Sequence, residues 1–321
     1  MAITITPEEL AKSAIQYRKE LIMMITIGLQ SSLQHMTLRA GVQYKQKVGE
    51  TRGNSEFGPY DPNRKNTTTQ ITGRELEVFL GSVIKEFDPN NVVQSIYGSL
   101  MLSGEGLKNT PVTKAIIASE MKSLSTKLNM AIFSAVRNAS GTTSQDLFNG
   151  FDTISQTDIT AGNVSTAKRN LFEFTQEVNA TNAVDLLKEY YRSATDELKG
   201  IPTKMYIPIS IMEAYEDDYQ QTVGAAPYNT RFEKRFLEGS NSLCEFVPLP
   251  SKKNSNFIQL STKDNMLVGT GNGNDLEKLS VDRFSAFLVT LSAAILFGCE
   301  YETVSPEKLL IGKLYVAPVN P

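Results

Sequence analysis

A chain of 321 residues with 40 % apolar and 21 % charged residues can bury one large domain or two ordinary ones, which excludes a disordered polypeptide. Thirty-two Lys and Arg against 35 Asp and Glu leave a formal charge of −3, so no global basic field exists to coat nucleic acid or a membrane surface. The two cysteines, Cys244 and Cys299, have neither C-x-x-C nor metal-ligand spacing, and they read as buried free thiols rather than a disulfide framework.

The opening MAITITPEELAKS lacks a basic region followed by an apolar one, so no secretory leader is expected. Pro7 after Thr6, with Glu8 and Glu9 in the first turn, predicts a helix in an N-terminal arm over residues 1–37. Leu10, Ala14, Tyr17, Leu21, Met24 and Leu29 follow its spacing. Over 38–80 the pattern changes to alternation. Val42, Tyr44 and Val48 on one side, and Leu76, Val78 and Leu80 on the other, flank a polar stretch broken by Gly and Pro. A long two-stranded hairpin with a wide tip is expected, and such a ribbon is marginal alone in water. Arg39, Lys45, Lys47, Arg52, Arg64, Lys65 and Arg74, set against Glu50, Glu56 and Asp61, suggest docking onto an acidic neighbouring surface.

The strongest helix runs from Thr110 and Pro111 to about Asn138, with Ile117, Met121, Leu124, Leu128, Ala131 and Ala135 as one apolar stripe. At 1.5 Å per residue it is a rod of roughly 40 Å. A mixed region follows, with a second helix through Val184, Leu187, Tyr191, Ala194 and Leu198 closed by Gly200. KMYIPIS reads as a buried strand, and Ser210 with Glu213 as a capping box opening a third helix. LCEFVPL, NFIQLS and NMLVGT are further strands. From Phe287 to Tyr301 the alternation is long enough for a strand of about 50 Å, with Gly298 as a bend or bulge. The most apolar stretch, residues 284–298, is shorter than the roughly 18–20 residues that span a bilayer, so a soluble protein is expected.

Catalytic chemistry finds little support. His35 is the one histidine, which excludes Ser–His–Asp, Cys–His and His-based zinc constellations. GTGNGND at 269–275 has Asn274 where a dinucleotide fingerprint needs glycine, so a Gly/Asn turn is expected, with Asn272 and Asp275 the weaker option of a calcium site. Glu213, Glu216, Asp217 and Asp218 read as a solvated helix surface, the alternative being a carboxylate-dependent hydrolase using Glu213 and Asp217. Tyr190, Tyr191, Phe232 and Phe236 fall at core spacing and not among basic residues. No catalytic, cofactor-binding or metal site is assigned, and no enzyme is expected.

The order of elements resembles the tailed-bacteriophage major capsid proteins, the Hong Kong 97 fold family, across nearly the whole chain. ITGRELEVFLGSVIKEFDP resembles the strand that returns from the extended loop, and TPVTKAIIASEMKSLSTKLNMAIFSAVRN the spine helix. DLFNGFDTI is similar to the Gly-Phe segment that opens the axial domain, and TKDNMLVGTG to the Asn-Met-x-x-Gly turn at Asn265, Met266 and Gly269. The stretch from Phe284 through VSPEKLLIG, with Pro306 and Glu307, resembles the long peripheral strands and the return to the axial domain.

The resemblance implies an α+β capsid fold. Its parts would be an arm (1–37), an extended hairpin loop (38–80), a peripheral domain (81–140 and 276–307) with a long spine helix and long strands, and an axial domain (141–275 and 308–321). It implies many copies of the chain in hexamers and pentamers around double-stranded DNA held by weak, non-specific contact, without cofactor or membrane. Portal, scaffolding and decoration proteins are the implied partners, with scaffold separate because no fused extension is seen. The virion is the implied location, after assembly in the host cytoplasm. Some members crosslink a hairpin lysine to a neighbour's asparagine; Lys45, Lys47 and Lys65 lie in that loop, and no residue is assigned to such a bond. An encapsulin-like compartment shell is the alternative on the same fold.

Overall fold

The computed structural model describes residues 29–53, 59–61, 69–87, 112–223, 235–271, 279–283 and 289–316. The expected arm helix, the Thr110–Pro111 start of the spine, Phe232, Lys65 and the segment Asn272–Asp275 lie outside the described residues. In chain order the elements are α1 (Gln30–Leu33), β1 (Thr37–Ala40), β2 (Lys45–Gly53), β3 (Thr69–Glu77) and β4 (Phe79–Phe87). Then come α2 (Val112–Ser134), α3 (Phe151–Thr160), β5 (Leu171–Glu173), α4 (Ala183–Ser193), α5 (Asp196–Lys199), β6 (Thr203–Pro208) and α6 (Ile209–Val223). The remainder is β7 (Cys244–Leu249), β8 (Phe257–Ser261), β9 (Met266–Thr270), β10 (Leu279–Arg283), β11 (Val289–Tyr301) and β12 (Leu309–Lys313).

The first five-stranded sheet is organised on β11. That strand pairs antiparallel with β4 over Val289–Phe297, with β10 over Val289–Ala293 and with β9 over Phe297–Tyr301, while β1 runs parallel to β9. The alternation of β11 sends Leu291, Phe297, Cys299 and Tyr301 into the main core, and Leu296 into a small cluster on the other face. Gly298 does not bulge the strand, because its pairing with Gly269 continues the register unbroken. Its role is clearance: a Cβ there would lie 2.0 Å from the carbonyl oxygen of Glu77, where the ribbon crosses β11.

The second five-stranded sheet has the order β5-β12-β8-β6-β7. Both of its faces are covered. Met205, Ile207, Phe246, Ile258, Leu260 and Leu310 pack beneath α4 and α6. From the opposite face Tyr206, Val247, Leu249, Phe257, Leu309 and Ile311 join the core that also holds α2 and α3. That sandwiching is why β8 is buried at every position.

Helix α2 spans 23 residues, about 35 Å. Met121 and Leu128 lie on the expected stripe, but at the C-terminal end Ala131, Ile132 and Phe133 are consecutively buried, so the rod's end is enclosed over more than one stripe, Ser134 staying exposed. It stops at Ser134 rather than near Asn138, because Val136 and Asn138 donate to the Gln145 and Asp146 carbonyls instead, at 2.9 Å each. The Gly-Phe segment then makes physical sense. A Cβ on Gly150 would sit 2.3 Å from the Phe133 carbonyl oxygen, and Phe151 packs its ring on Phe133 and Tyr301.

Two helix expectations need correction. The single helix through Val184 and Leu198 is divided, because Ala194 is extended and the Thr195 hydroxyl accepts from Leu198 N–H to start α5 afresh, with Gly200 closing only that short helix. Ser210 lies inside α6 rather than capping it.

The two halves are joined through a buried cation. Lys252, in the turn between β7 and β8, is fully buried. Its Nζ donates to Gln259 Oε1 at 2.6 Å and lies 3.3 Å from Asp152 Oδ1, to which Gln259 also donates at 2.8 Å. The ammonium stands 4.2 Å from the centroid of Phe133, the enclosed end of the spine helix. Burial pulls the Lys252 amine below its ordinary range, against the support of Asp152. Replacing Asp152 by Ala is therefore expected to cost about 3–5 kcal/mol at pH 7, since it strands a buried charge. That deficit should narrow as the pH rises toward about 10, where the folded chain sheds the proton at little cost and the unfolded chain no longer binds it more tightly. Urea unfolding of both proteins across that range checks the point, and a deficit unchanged with pH would contradict it.

Candidate assembly elements

Strands β2 and β3 pair with each other alone, in register from Lys45↔Glu77 to Gly53↔Thr69. This is the hairpin expected over 38–80, confined to 45–77, because Thr37–Ala40 belongs to the first sheet. Lys45, Gln46, Lys47, Gly49, Gly73 and Glu75 are exposed, and Tyr60 near the tip is 94 % exposed. Among the described residues the root is sheltered by the chain itself. Val42, Leu76 and Val78 close against Leu267 and Leu296, with Val48 at their edge. At the root itself Tyr44 stays 65 % exposed.

The root is clamped by an ion triad. Arg74 of β3 donates to both oxygens of Asp158 on α3, at 3.2 and 2.8 Å, and to Oε1 of Glu300 on β11, at 3.2 and 2.7 Å. All three side chains are at most 16 % exposed. Burial opposes the guanidinium's charge, but the Glu300 and Asp158 carboxylates outweigh it and hold Arg74 above its ordinary range. The fork geometry of Arg74 thus ties one ribbon strand to a helix and to the central strand of the first sheet.

The basic surplus expected of the hairpin is smaller than its cations suggest. Arg74 is neutralised in the triad, Lys45 pairs with Glu75 and Glu77 of the opposite strand at 3.6 Å, and Arg39 approaches Glu302 at 3.8 Å. Among the described residues Lys47 remains an exposed ribbon cation. Lys45 is thus engaged within its own ribbon.

Residues with candidate chemistry are scattered. Glu213, Asp217 and Gln220 are exposed on α6, whereas Asp218 is buried and accepts the Val184 N–H at 2.7 Å, holding the start of α4. Tyr190 and Tyr191 are core, and the Tyr190 hydroxyl donates to the Leu310 carbonyl at 2.7 Å. Cys244 and Cys299 are buried free thiols, with burial pushing Cys244 up to about 12. His35 packs beside Lys204 at 3.2 Å, with no carboxylate or thiol bonded to its ring. Among the described residues no three His, Cys, Asp or Glu side chains gather as a metal site, and no helix is long and apolar enough to cross a membrane.

The first sheet carries some of the exposed apolar groups. On the face of β4 turned from the spine, Leu80 is 50 % and Ile84 71 % exposed. On the spine side, a cleft of about 730 Å³ opens between β4, α2 and the loop 137–147, lined by Val83, Met121, Leu124, Leu128, Leu147 and Ile295.

The fold as a whole is shared with solved structures. A chain of the satellite phage P4 procapsid including size determination (Sid) protein matches with a TM-score of 0.61 at 10 % identity, over 91 % of this chain and 90 % of that one. This is the phage capsid fold. A chain from the capsid of an empty GTA particle has a TM-score of 0.55 at 12 % identity, covering 90 % of each chain. The cyanophage A-1(L) capsid gives 0.53 at 11 %, over 90 % of this chain and 92 % of that one. No protein-family model and no curated protein sequence matches the chain. The α+β Hong Kong 97-like capsid fold expected from the order of elements is therefore the fold observed.

Within this capsid fold Arg74 sets the direction in which the ribbon leaves the body. Arg74→Ala is expected to cost about 3–5 kcal/mol by leaving two carboxylates without their cation, and Arg74→Lys to recover only part of it, lacking the fork. Denaturant midpoints measure both, and a loss below about 1 kcal/mol for the Ala variant would show the triad to be incidental.

Proposed function

We propose that the chain is the major capsid protein of a tailed phage, assembling as pentamers and hexamers into an icosahedral shell around double-stranded DNA. The observation that carries this reading is the ribbon. It is two strands wide, with Lys45, Gln46, Lys47, Gly49, Gly73 and Glu75 exposed, and a buried triad anchors its root. A free subunit gains nothing from such a projection, since a lone ribbon is marginal in water. A lattice gains a strap that reaches a neighbour. The matched structures are capsid and procapsid chains, which supports the same reading.

In this proposal the first sheet and α2 form the peripheral domain (81–140 and 276–307), and the second sheet with α4 and α6 lies in the axial domain (141–275 and 308–321) around the local symmetry axes. The first sheet also takes in β1 and β9, which pins the end of the arm (1–37) to the peripheral side. Arm and hairpin loop (38–80) reach across neighbouring copies. Apolar groups such as Leu80 and Ile84 then contribute on burial at roughly 25 cal/mol per Å². Many modest contacts repeated over a closed shell give stability by multivalency. The role is mechanical and not enzymatic, the location is the virion after assembly in the host cytoplasm, and the shell's portal and any separate scaffolding or decoration proteins are the further partners.

Negative-stain imaging of the expressed chain, with nucleic-acid staining of the recovered particles, tests the proposal. Uniform closed particles or rings of five and six are expected, together with DNA in particles taken from infected cells. A monodisperse monomer at every concentration contradicts the shell. Particles filled with protein cargo and free of DNA would point to the encapsulin-like compartment instead.

A further inference from the structure

The segment Leu29–Thr37 is seated by contacts to four separate elements. Ser31 accepts from Asn129 of α2 at 3.1 Å, and Ser32 meets Ser251 at 3.4 Å. Thr37 donates to the Lys263 carbonyl at 3.2 Å, and Leu29 and Met36 are buried in the main core. The fourth contact is His35, held against the second sheet at both backbone and ring. Tyr206 of β6 donates its hydroxyl to the His35 carbonyl, and Lys204 of the same strand places Nζ 3.2 Å from His35 Nδ1.

That last contact fixes the state of the ring. A lysine ammonium has three donors and no acceptor, so Nδ1 must offer its lone pair and the imidazole must be neutral, with its proton on Nε2. Nε2 lies 2.9 Å from the side-chain nitrogen of Gln34; oxygen and nitrogen of that amide are interchangeable in assignment, and turning it to present an acceptor gives up only its long 3.5 Å bond to the Ser31 carbonyl. Lys204 is itself anchored by Glu245, which holds its ammonium in place. Glu245 also binds Arg235, at 2.6 Å, and is already shared by two cations.

A proton added to Nδ1 would set donor against donor. The charged groups facing the ring are Lys204 and Arg235 near the second sheet and Lys263 in the turn before β9, opposed by the carboxylate of Glu245. We propose that His35 is an acid-operated clasp: neutral, it locks the segment Leu29–Thr37 onto the second sheet, and protonated, it lets that segment go. The sign follows from the surroundings. Burial, and then Lys204, hold the ring below its ordinary value of 6.5, so the unfolded or detached segment binds a proton more readily than the seated one. The seat is at full strength above about pH 6.5 and weakens as the pH falls through that value and below. The proposal concerns the segment that follows residues 1–28 and holds whether or not the chain builds a shell.

Amide hydrogen exchange read by mass spectrometry on peptides covering 29–37, in the full-length protein from pH 7.5 to pH 5.0 and corrected for intrinsic rates, tests the clasp. In the wild type, protection of these amides should fall by up to about tenfold per pH unit below pH 6.5, while peptides from β8 stay unchanged. His35→Gln keeps an acceptor and cannot take the proton, so its protection should be flat across the range. Lys204→Met removes the opposing cation and should blunt the acid loss, which serves as the second arm if His35→Gln folds poorly. A wild-type segment indifferent to pH, or the same acid loss in either variant, overturns the proposal.

Discussion

A two-stranded ribbon cannot hold its own direction, and what gives this one a direction is a buried guanidinium. Arg74 sits where three elements cross, and its planar fork satisfies Asp158 and Glu300 together. Everything distal to it depends on that crossing. The same place explains two glycines: Gly298 admits the Glu77 carbonyl, and Gly269 leaves room for Val78, whose Cγ1 would otherwise stand 2.7 Å from a Cβ. Sheet, helix and ribbon thus meet at a point where backbone approaches backbone and a charge is desolvated. Such a junction is costly to break and serves as a rigid lever root.

The other half of the molecule uses a related device for a different purpose. Lys252 joins the second sheet to the enclosed end of α2 and the start of α3 through one carboxylate, one amide and one aromatic face. A buried polar group of this kind specifies which surfaces meet, because sliding α3 past the sheet would separate the ammonium from Asp152, and sliding the spine helix would take away the Phe133 face. The two sheets are therefore keyed to one helix. Rotation of one half against the other is resisted by geometry as well as by apolar burial.

Much of this was legible in the residues, and the parts that were not share a cause. Alternation at Val42, Leu76 and Val78 marks strands whose apolar side is covered, and the three-and-four spacing of Met121, Leu128 and Ala131 marks the spine. These signals are local. The Arg74 triad spans separations of 84 and 226 residues, so an arginine in a basic-looking hairpin reads as solvated until its partners arrive. Lys252, in a polar turn next to Lys253 and Asn254, looks equally exposed. Helix α3 begins on Gly150 and carries Thr153, Thr157 and Thr160, poor helix formers that the surrounding core overrides. The break at Ala194–Thr195 was hidden because apolar spacing continues across it, although a threonine three residues before Leu198 could have been read as a cap.

The central claim is that the ribbon is built to be covered by another copy of the chain. Amide hydrogen exchange on 45–53 and 69–77, compared between dissociated subunits and assembled particles, measures this directly. The outer pairs of the ladder should exchange rapidly in the subunit and become strongly protected in the particle, while pairs near Arg74 are protected in both. Equal exchange of the outer pairs in both states would mean that nothing lies over the ribbon, and the account of how the subunits hold together would fail.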